Sequence, residues 1–336
     1  MNLTEKLQLA YSKIAASQRI LIVSHTSPDA DAIASIGAMV ELAQVLGLGF
    51  YAFADQKTDG AYDFIPNEDM IKSVEPDDLR IFDVILVLDC GAISRTGLEV
   101  RLRNLLKAAA DGRLSKRPYI IELDHHQPSE SYADLELRLP DKASTTEIIY
   151  HLFKANNLEI NKAAANCILI GLMTDTGHFL HANSSREALA VSSEMLLRGA
   201  SLPRIIDHTV NNKSFAALKV WGRAIENMHL DPETGFAFSA LTASELDELM
   251  PAKYSSLGAD LFGDIVSFLS TLSGVRVALL LREEKGKVKG SLRTNDDLIN
   301  VARIAQNWGG GGHKKAAGFS IMGRLLKKEN SWSIMR

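Results

Sequence analysis

The sequence has very few cysteines and no long hydrophobic run. Cys90 and Cys167 are the only cysteines among 336 residues, too few for a disulfide framework, and both lie in apolar surroundings. We therefore expect buried thiols and a reducing cytoplasm. No apolar run approaches the roughly 18 residues that span a bilayer, and residues 1–17 alternate polar and apolar side chains at helical spacing. We expect neither export nor membrane insertion.

A strong charge of either sign is also missing. The chain has 37 lysines and arginines against 41 aspartates and glutamates, for a net charge of −4. This balance argues against electrostatic binding of long duplex nucleic acid along the whole chain, so any contact with nucleic acid should be local and small. Apolar residues make up 46% and charged residues 23%, as in ordinary globular proteins. The length predicts two domains, because single cores rarely grow beyond about 250–300 residues.

The first half alternates short apolar runs with amphipathic helical patterns. Strands are predicted at 19–24, 48–54, 83–89 and 119–123, and helices at 32–46, 99–110 and 146–155. This alternation is typical of an α/β fold whose parallel sheet carries helices on both faces. A further helix is predicted at 162–173, with Asp175 just past its end.

The second half changes character after a mostly helical stretch that Gly199 and Pro203 interrupt. The predicted elements are helical segments at 184–228, strands at 235–241, 276–281 and 287–293, and a helix at 297–308. The predicted division is a large α/β domain at 1–195, a helical linker at 196–228 and a smaller α/β domain at 229–336.

Acids and histidines follow three of the apolar runs in the first half. They are His25, Asp29, Asp31, Asp89, Asp124, His125 and His126. A lone aspartate after a strand is more often a turn former or helix cap, and a lone histidine is more often a structural or exposed side chain. Repetition at three strand ends favours a shared site, because ligands bind outside the carboxyl ends of strands in open α/β sheets. His151, His208 and His229 have no such context, and we expect them to be structural or exposed.

The mixture of carboxylates and imidazoles favours a divalent metal softer than calcium. Asp29 and Asp31 lie two residues apart, so on extended backbone they point the same way and can hold two cations side by side. Two metals about 3.5–4 Å apart can activate water and clamp an in-line displacement at phosphorus. The number of acids favours such a dinuclear centre, with Mn²⁺ preferred by ligand type and Mg²⁺, Co²⁺ or Zn²⁺ as alternatives.

Four segments resemble, in order and spacing, the motifs of the DHH phosphoesterase superfamily. They are His25-Thr-Ser-Pro-Asp29-Ala-Asp31, Leu88-Asp89-Cys90-Gly91, Asp124-His125-His126 and Thr174-Asp175-Thr176-Gly177. The segment from Gly309 through His313 to Gly318 resembles the signature of the DHH-associated C-terminal domain. In length and arrangement the chain resembles the branch of bifunctional oligoribonucleases and 3′-phosphoadenosine-5′-phosphate phosphatases, also called nanoRNases.

The resemblance implies a role for each of these residues. The implied ligands are His25, Asp29 and Asp89 for one cation and Asp31, Asp89, His125 and Asp175 for the other. Asp89 would bridge the two cations, and a hydroxide between them would be the nucleophile. His126 would face the substrate phosphate, and Asp124 would orient an imidazole from behind.

The glycine segment predicts an anion site in the second half. Its backbone N–H groups can converge on a phosphate, although glycine runs are more often flexible turns. The substrate-binding residues that the resemblance implies are Arg293, Gly310, Gly311, Gly312 and His313. Arg293 and His313 would bind a terminal phosphate or base of the substrate. One position departs from the family, because Leu180 stands where a basic residue is often found.

The resemblance implies a metal-dependent phosphoesterase. It would hydrolyse short single-stranded oligonucleotides to mononucleotides, 3′-phosphoadenosine 5′-phosphate to AMP, or both. One alternative is a manganese-dependent inorganic pyrophosphatase, because those enzymes share the first-half motifs but lack the glycine segment. Another is a nucleotide-binding module without catalysis, which should lack at least one of the acids. The sequence leaves the oligomeric state open, a homodimer included.

Overall fold

In the computed structural model the chain forms two units, 1–211 and 212–336. The structure describes residues 1–56, 60–114, 116–127, 130–211, 214–250, 260–328 and 331–335. None of the helices in these ranges has both the length and the apolar character that crossing a lipid bilayer requires.

The first unit is built on a six-stranded sheet in which all neighbouring strands run parallel. The strands are β1 (Arg19–Val23), β2 (Gly49–Phe53), β3 (Ile71–Lys72), β4 (Val84–Leu88), β5 (Tyr119–Asp124) and β6 (Leu135–Arg138). Their order across the sheet is β3-β2-β1-β4-β5-β6, so the strand order reverses between β1 and β4. At such a switch point the loops after the two strands leave in opposite directions, which opens a crevice at the carboxyl ends.

Helices cover both faces of this sheet. They are α1 (Leu3–Ala15), α2 (Ala30–Val45), α3 (Glu99–Ala110), α4 (Thr145–Ala155), α5 (Lys162–Asp175), α6 (Arg186–Leu197) and α7 (Leu202–Thr209). In β1, Ile20 and Ile22 enter one apolar core with α1, α2, α4 and α5, whereas Leu21 and Val23 enter another with α3. A strand buried on both sides is a continuous apolar run. The structure therefore confirms the predicted α/β class, with parallel strands and helices on both faces.

Several element boundaries differ from the predicted ones. Helix α2 begins at Ala30, two residues earlier than predicted, because the Asp29 side chain caps it by accepting from Ala32 N. Helix α5 extends to Asp175, two residues beyond its predicted end at Met173, so the prediction that Asp175 lies past the helix was wrong. Pro203 does not interrupt a helix but lies in the first turn of α7, where its missing N–H costs no hydrogen bond.

The second unit contains a mixed six-stranded sheet and a separate hairpin. The strands are β7 (His229–Asp231), β8 (Phe236–Leu241), β9 (Val277–Glu284), β10 (Lys287–Arg293), β11 (Gly311–Gly312), β12 (Ala316–Met322), β13 (Arg324–Lys328) and β14 (Ser331–Met335). The sheet has the order β11-β12-β10-β9-β8-β7, with β8 and β9 parallel and the other pairs antiparallel. Strands β13 and β14 form the hairpin.

Both faces of the second sheet are covered as well. The helices of this unit are α8 (Phe215–Glu226), α9 (Ala243–Leu249), α10 (Asp260–Ser270) and α11 (Val301–Gln306). Helices α8, α9 and α10 pack on one face, while α11 and the hairpin pack on the other. The predicted helix at 297–308 is shorter in the structure, because the Asn300 side chain accepts from Ala302 N and starts α11 there.

The segment predicted as a helical linker, 196–228, contributes to both cores. Helix α7 buries Ile205 in the core of the first unit, and α8 buries Val220 in the core of the second. The three-part division at 1–195, 196–228 and 229–336 stays a prediction.

Candidate metal centre

Acids and histidines predicted to form the site collect at the carboxyl edge of the first sheet. His25 follows β1 and Asp89 follows β4, the two strands between which the strand order reverses. Asp124 ends β5, and His125 and His126 come directly after it. Neighbouring parallel strands thus deliver all five side chains to one edge, where an open α/β sheet binds its ligands.

Asp89 lies at the middle of the cluster and is only 1% exposed. Its Oδ2 lies 3.7 Å from His25 Nε2, and its Oδ1 lies 3.5 Å from His125 Nε2 and 3.3 Å from His126 Nδ1. Burial raises the pKa of Asp89, but hydrogen bonds from these imidazoles outweigh burial and hold that pKa well below its usual range. The Thr145 hydroxyl also donates to Oδ1, at 3.0 Å. One buried carboxylate is therefore shared by three histidines.

Asp31, in the first turn of α2, is fully buried and is held by the N-terminus of α4. Its Oδ2 accepts from Thr145 N at 2.7 Å, and its Oδ1 accepts from Thr146 N at 3.2 Å and from Thr146 Oγ1 at 2.9 Å. Even so, burial and the carboxylates of Asp175 and Asp89 raise the pKa of Asp31 well above its usual range. Acids crowded in a buried site repel one another unless a cation lies between them. The donor set therefore fits a metal ion.

His25 and Asp29 form the corner of the cluster beside β1. His25 Nδ1 lies 2.9 Å from Thr26 O and donates to it, so in the neutral ring Nε2 presents a lone pair. That Nε2 lies 3.7 Å from Asp89 Oδ2 and 4.0 Å from Asp29 Oδ1. Asp29 is half exposed, and its Oδ1 also accepts from Ala32 N at 3.0 Å. These three side chains bring one nitrogen and two carboxylates together at the end of the strand.

The two histidines after β5 have different acid partners. His125 Nε2 lies 3.1 Å from Asp175 Oδ2, and burial raises the pKa of Asp175 to about 6. His126 Nδ1 lies 2.7 Å from Asp124 Oδ1, and Gly91 N donates to the same carboxylate. Burial alone would lower the pKa of His126, but the hydrogen bonds to its acid partners raise it to about 10. Asp124 therefore lies where it can orient His126 and favour its charged form.

Three groups of donors at this edge could each hold a metal ion, since within each group the ligand atoms lie within 4.8 Å of one another. The groups are His25 with Asp29 and Asp89, Asp31 with His125 and Asp175, and Asp89 with His125 and His126. Together they contain all six predicted metal ligands. Asp89 and His125 each belong to two groups, so cations bound in neighbouring groups would share ligands.

Thr145 and Thr146 belong to the site, although sequence reasoning missed them. The run Ser144-Thr-Thr-Glu147 has the form of a helix N-terminus, and Ser144 does cap α4 by accepting from Glu147 N at 3.1 Å. That signal identifies the start of the helix. It does not reveal the contact with Asp31, which lies 114 residues earlier in the chain than Thr145.

The residues predicted to bind substrate lie near one end of the second sheet. Arg293 ends β10, pairs across the sheet with Ala316, and donates from Nε to Ser267 Oγ at 3.3 Å. His313 and Ala316 close a turn, with backbone hydrogen bonds of 2.7 and 3.2 Å. Arg293 thus lies at the end of β10, and His313 lies in the turn before β12, the strand that pairs with β10.

The glycine segment has a more ordered backbone than the sequence predicts. Gly309 N and Gly310 N donate to Gln306 O and Ala305 O at the end of α11, so these two amides are engaged within the protein. Gly311 and Gly312 form β11 and pair with β12. A side chain at Gly310 would collide with β12, which explains the glycine there without any ligand. The role of Gly310, Gly311 and Gly312 in substrate binding stays a prediction.

Leu180, which stands where the resemblance implies a basic residue, lies in an unusual loop. After Asp175, the residues Gly177, His178 and Phe179 all have left-handed backbone, with φ between 55° and 66°. Leu180 follows and is 82% exposed. The loop therefore presents an apolar side chain to solvent five residues after a predicted metal ligand.

Comparisons with known proteins agree with this arrangement. The profile described as "DHH family, N-terminal domain" matches residues 19–172, and the DHHA1 domain profile matches residues 253–330. The chain is 26% identical over 325 residues to the bifunctional oligoribonuclease and PAP phosphatase NrnA of Thermus thermophilus. The aligned region covers 95% of this chain and 89% of that protein. It is 24% identical over 311 residues to the protein of the same name from Bacillus subtilis, covering 92% and 91%.

A solved structure is similar over nearly the whole chain. It is the crystal structure of an exopolyphosphatase-related protein from Bacteroides fragilis, with a TM-score of 0.81 and 26% identity. The similarity covers 94% of this chain and 90% of that one. The two-unit fold described above therefore has an experimentally determined counterpart.

Proposed function

Because the chain has a DHH domain at 19–172 and a DHHA1 domain at 253–330, we propose that it is a metal-dependent phosphoesterase of short oligonucleotides and nucleotide bisphosphates. Its products would be mononucleotides from the oligonucleotides and AMP from 3′-phosphoadenosine 5′-phosphate. The observation that carries the proposal is the cluster of carboxylates and imidazoles around buried Asp89 at the switch point. The names of the relatives from Thermus thermophilus and Bacillus subtilis support the substrate class.

We assign two divalent cations to this cluster. The proposed ligands are His25, Asp29 and Asp89 for one cation and Asp31, Asp89, His125 and Asp175 for the other. Mn²⁺ suits a set of carboxylates and imidazoles, and Mg²⁺ or Co²⁺ could take its place. When bound, such a pair of cations lowers the pKa of a water molecule and neutralises charge on the reacting phosphate.

The side chains around the ligands would bind and orient the substrate. His126 is charged below a pKa of about 10, so it can donate a hydrogen bond to a phosphate oxygen while Asp124 holds its ring. The N-terminus of α4 keeps Asp31 and Asp89 in place through the amides and hydroxyls of Thr145 and Thr146. The chain thus provides both the cation ligands and a positive group for the phosphate.

We further propose that Arg293 and His313 recognise a terminal phosphate or base of the substrate. The overall charge of −4 favours a substrate with few phosphates, because a long polyanion would need many basic contacts. The DHHA1 match at 253–330 also favours a nucleotide over inorganic pyrophosphate as the substrate.

The direct test is hydrolysis of end-labelled RNA of two to five nucleotides and of about 24 nucleotides, with Mn²⁺ present. We expect mononucleotides from the short RNAs, much slower cleavage of the long one, and release of phosphate from 3′-phosphoadenosine 5′-phosphate. If neither the short RNAs nor the bisphosphate is hydrolysed, the proposal is wrong. Phosphate release from pyrophosphate faster than from any nucleotide would favour the pyrophosphatase instead.

Substrate recognition can be tested separately from catalysis. Arg293→Ala should raise KM for di- and trinucleotides while sparing a small generic phosphodiester, because the guanidinium would bind the nucleotide and not the reacting bond. Arg223→Ala is a matched control, since Arg223 lies in the same unit and is paired with Glu226 and Glu245. Equal losses on both kinds of substrate would contradict this role for Arg293.

A further inference from the structure

A second cluster of charged side chains joins α4 to α6, and none of its members belongs to the proposed centre. Glu147 and His151 lie four residues apart on α4, so they share one face of that helix. Glu187 lies in the first turn of α6, and Lys142 precedes α4. Glu147, His151 and Glu187 each offer a ligand atom, and the three atoms lie within 4.8 Å of one another.

Glu147 is fully buried but only half of its carboxylate is satisfied. Its Oε2 accepts from Ala143 N at 2.7 Å, whereas its Oε1 has no hydrogen-bond partner. The side-chain nitrogens His151 Nε2 and Lys142 Nζ each lie 3.9 Å from Oε1. Because a buried carboxylate oxygen without a donor is unfavourable, this atom needs a positive partner closer than either.

His151 contributes a buried nitrogen in the same situation. Its Nε2 lies 3.0 Å from Glu187 Oε1 but makes no hydrogen bond, because that oxygen is out of line with a ring N–H. In the neutral ring such a nitrogen can present its lone pair to a metal. In a tetrahedral site whose metal–ligand distances are about 2.1 Å, the ligand atoms lie roughly 3.4 Å from one another. The distance from His151 Nε2 to Glu187 Oε1 is 3.0 Å and that to Glu147 Oε1 is 3.9 Å, so the two lie on either side of this value.

We propose that Glu147, His151 and Glu187 form a further metal site, for a zinc-type transition-metal ion. One imidazole and two carboxylates are ligands that zinc accepts, and a bound ion would satisfy both Glu147 Oε1 and His151 Nε2. Lys142 is the competing cation, since its Nζ lies 2.5 Å from Glu187 Oε2. The ion would tie α6 to the helix whose N-terminus holds Asp31 and Asp89.

The test compares the zinc content of variants after equilibrium dialysis against micromolar zinc, measured by inductively coupled plasma mass spectrometry. Glu187→Gln should bind one zinc fewer per chain than the wild type, and because Glu187 is half exposed the variant should fold. Glu194→Gln is the matched control, since Glu194 also links α6 to α4, through Lys154, without a histidine. It should keep the wild-type zinc content. His151→Gln should repeat the loss seen with Glu187→Gln.

Removal of the competing Lys142 ammonium gives an independent test of the zinc site. Lys142→Ala should bind this zinc several-fold more tightly than the wild type. Equal zinc contents of the wild type, Glu187→Gln and His151→Gln would overturn the proposal, as would weaker zinc binding by Lys142→Ala. Because each result is a difference between chains that share the Asp89 cluster, it does not depend on how many ions that cluster binds or on the proposed activity.

Discussion

At the residue scale, Asp89 is the side chain on which the site depends most. Its backbone is left-handed, with φ of +58°, a conformation that aspartate adopts more readily than most other residues. Its N–H still donates to Leu123 O at 3.0 Å, so the contact with β5 continues while the side chain turns toward the histidines. Asp89 thereby belongs to two of the three donor groups from the end of a single buried strand.

Replacing this residue should abolish activity on every substrate. Asp89→Asn keeps the size of the side chain but removes the charge that two groups of ligands share. Replacing a residue that only supports a metal ligand lowers metal affinity or activity about 10–100-fold. Because Asp89 is itself a proposed ligand, we expect its replacement to lower activity by more than about a hundredfold. The measurement is kcat/KM with both an RNA dinucleotide and a generic phosphodiester at saturating Mn²⁺.

Asp83 provides the control for this variant, because it precedes the same strand at the opposite end. It accepts from Gln18 N and pairs with Lys116, far along β4 from Asp89. Asp83→Asn should therefore keep its activity. An Asp89→Asn enzyme with more than a tenth of the wild-type activity would argue against a shared ligand.

At the element scale, the N-terminus of α4 positions two of the acids. Thr145→Val removes the hydroxyl that donates to Asp89 but keeps the backbone N–H that donates to Asp31. We expect activity to fall about 10–100-fold and the Mn²⁺ concentration for half-maximal activity to rise. Thr145→Ser should restore both, and a serine variant as impaired as the valine variant would show that packing, not the hydroxyl, is what matters.

The packing of α5 against α2 leaves no room for a side chain at Gly171. A methyl group there would collide with the side chains of Asp31 and Thr146. Gly171→Ala should therefore displace the Asp31 carboxylate, lower the free energy of unfolding by about 1–3 kcal/mol and reduce activity more than tenfold. Gly222→Ala in α8 is the control, because a methyl group there meets nothing within 4 Å and should stabilise the helix by up to about 1 kcal/mol. Equal behaviour of the two variants in urea unfolding would contradict this explanation.

The contact between α4 and α6 should make stability depend on acid pH. Burial works against ionisation of Glu194, but hydrogen bonds from Tyr150, Arg198 and Lys154 lower its pKa to about 2. A carboxylate with a lowered pKa stabilises the fold fully above its unfolded value of 4.5, and this contribution is lost as the pH falls toward 2. The difference in unfolding free energy between the wild type and Glu194→Gln should thus be constant above about pH 5 and shrink below pH 4.5. A difference that stays constant down to pH 2 would exclude this role.

The elements differ in how well their sequences predict them. Strands β1, β4 and β5 are predictable because both of their faces are buried, which produces unbroken apolar runs that end at the site. Strands β3 and β6 are not, since two and four residues are too few to show a periodic pattern. The helix predicted at 297–308 is present but begins later than predicted, because Asn300 bonds to nearby amides and caps the helix there.

Only part of the candidate site could be predicted from the sequence, because the rest of it depends on tertiary contacts. The residues that follow strands could be placed at one edge by a general rule of α/β sheets, and the structure brings those acids and histidines together. The hydroxyl of Thr145, the tight fit at Gly171 and the cluster around Glu147 could not be predicted. Each depends on contacts between residues that are distant in sequence, and no local pattern encodes such contacts.

At the scale of the whole molecule, the two units carry different parts of the proposed activity. The first unit contains every proposed metal ligand, and the second contains the proposed substrate-binding residues Arg293 and His313. The net charge of −4 fits an enzyme that recognises a few phosphates by local contacts. The proposed activity therefore depends on whether the first unit binds a pair of cations.

That dependence can be tested by anomalous scattering from crystals grown with excess Mn²⁺. We expect two manganese peaks about 3.5–4 Å apart at the carboxyl edge of the first sheet. One peak should contact His25 and Asp29, the other should contact Asp31 and Asp175, and Asp89 should contact both. A single peak, or no peak at this edge under saturating manganese, would show that the proposed dinuclear centre is wrong.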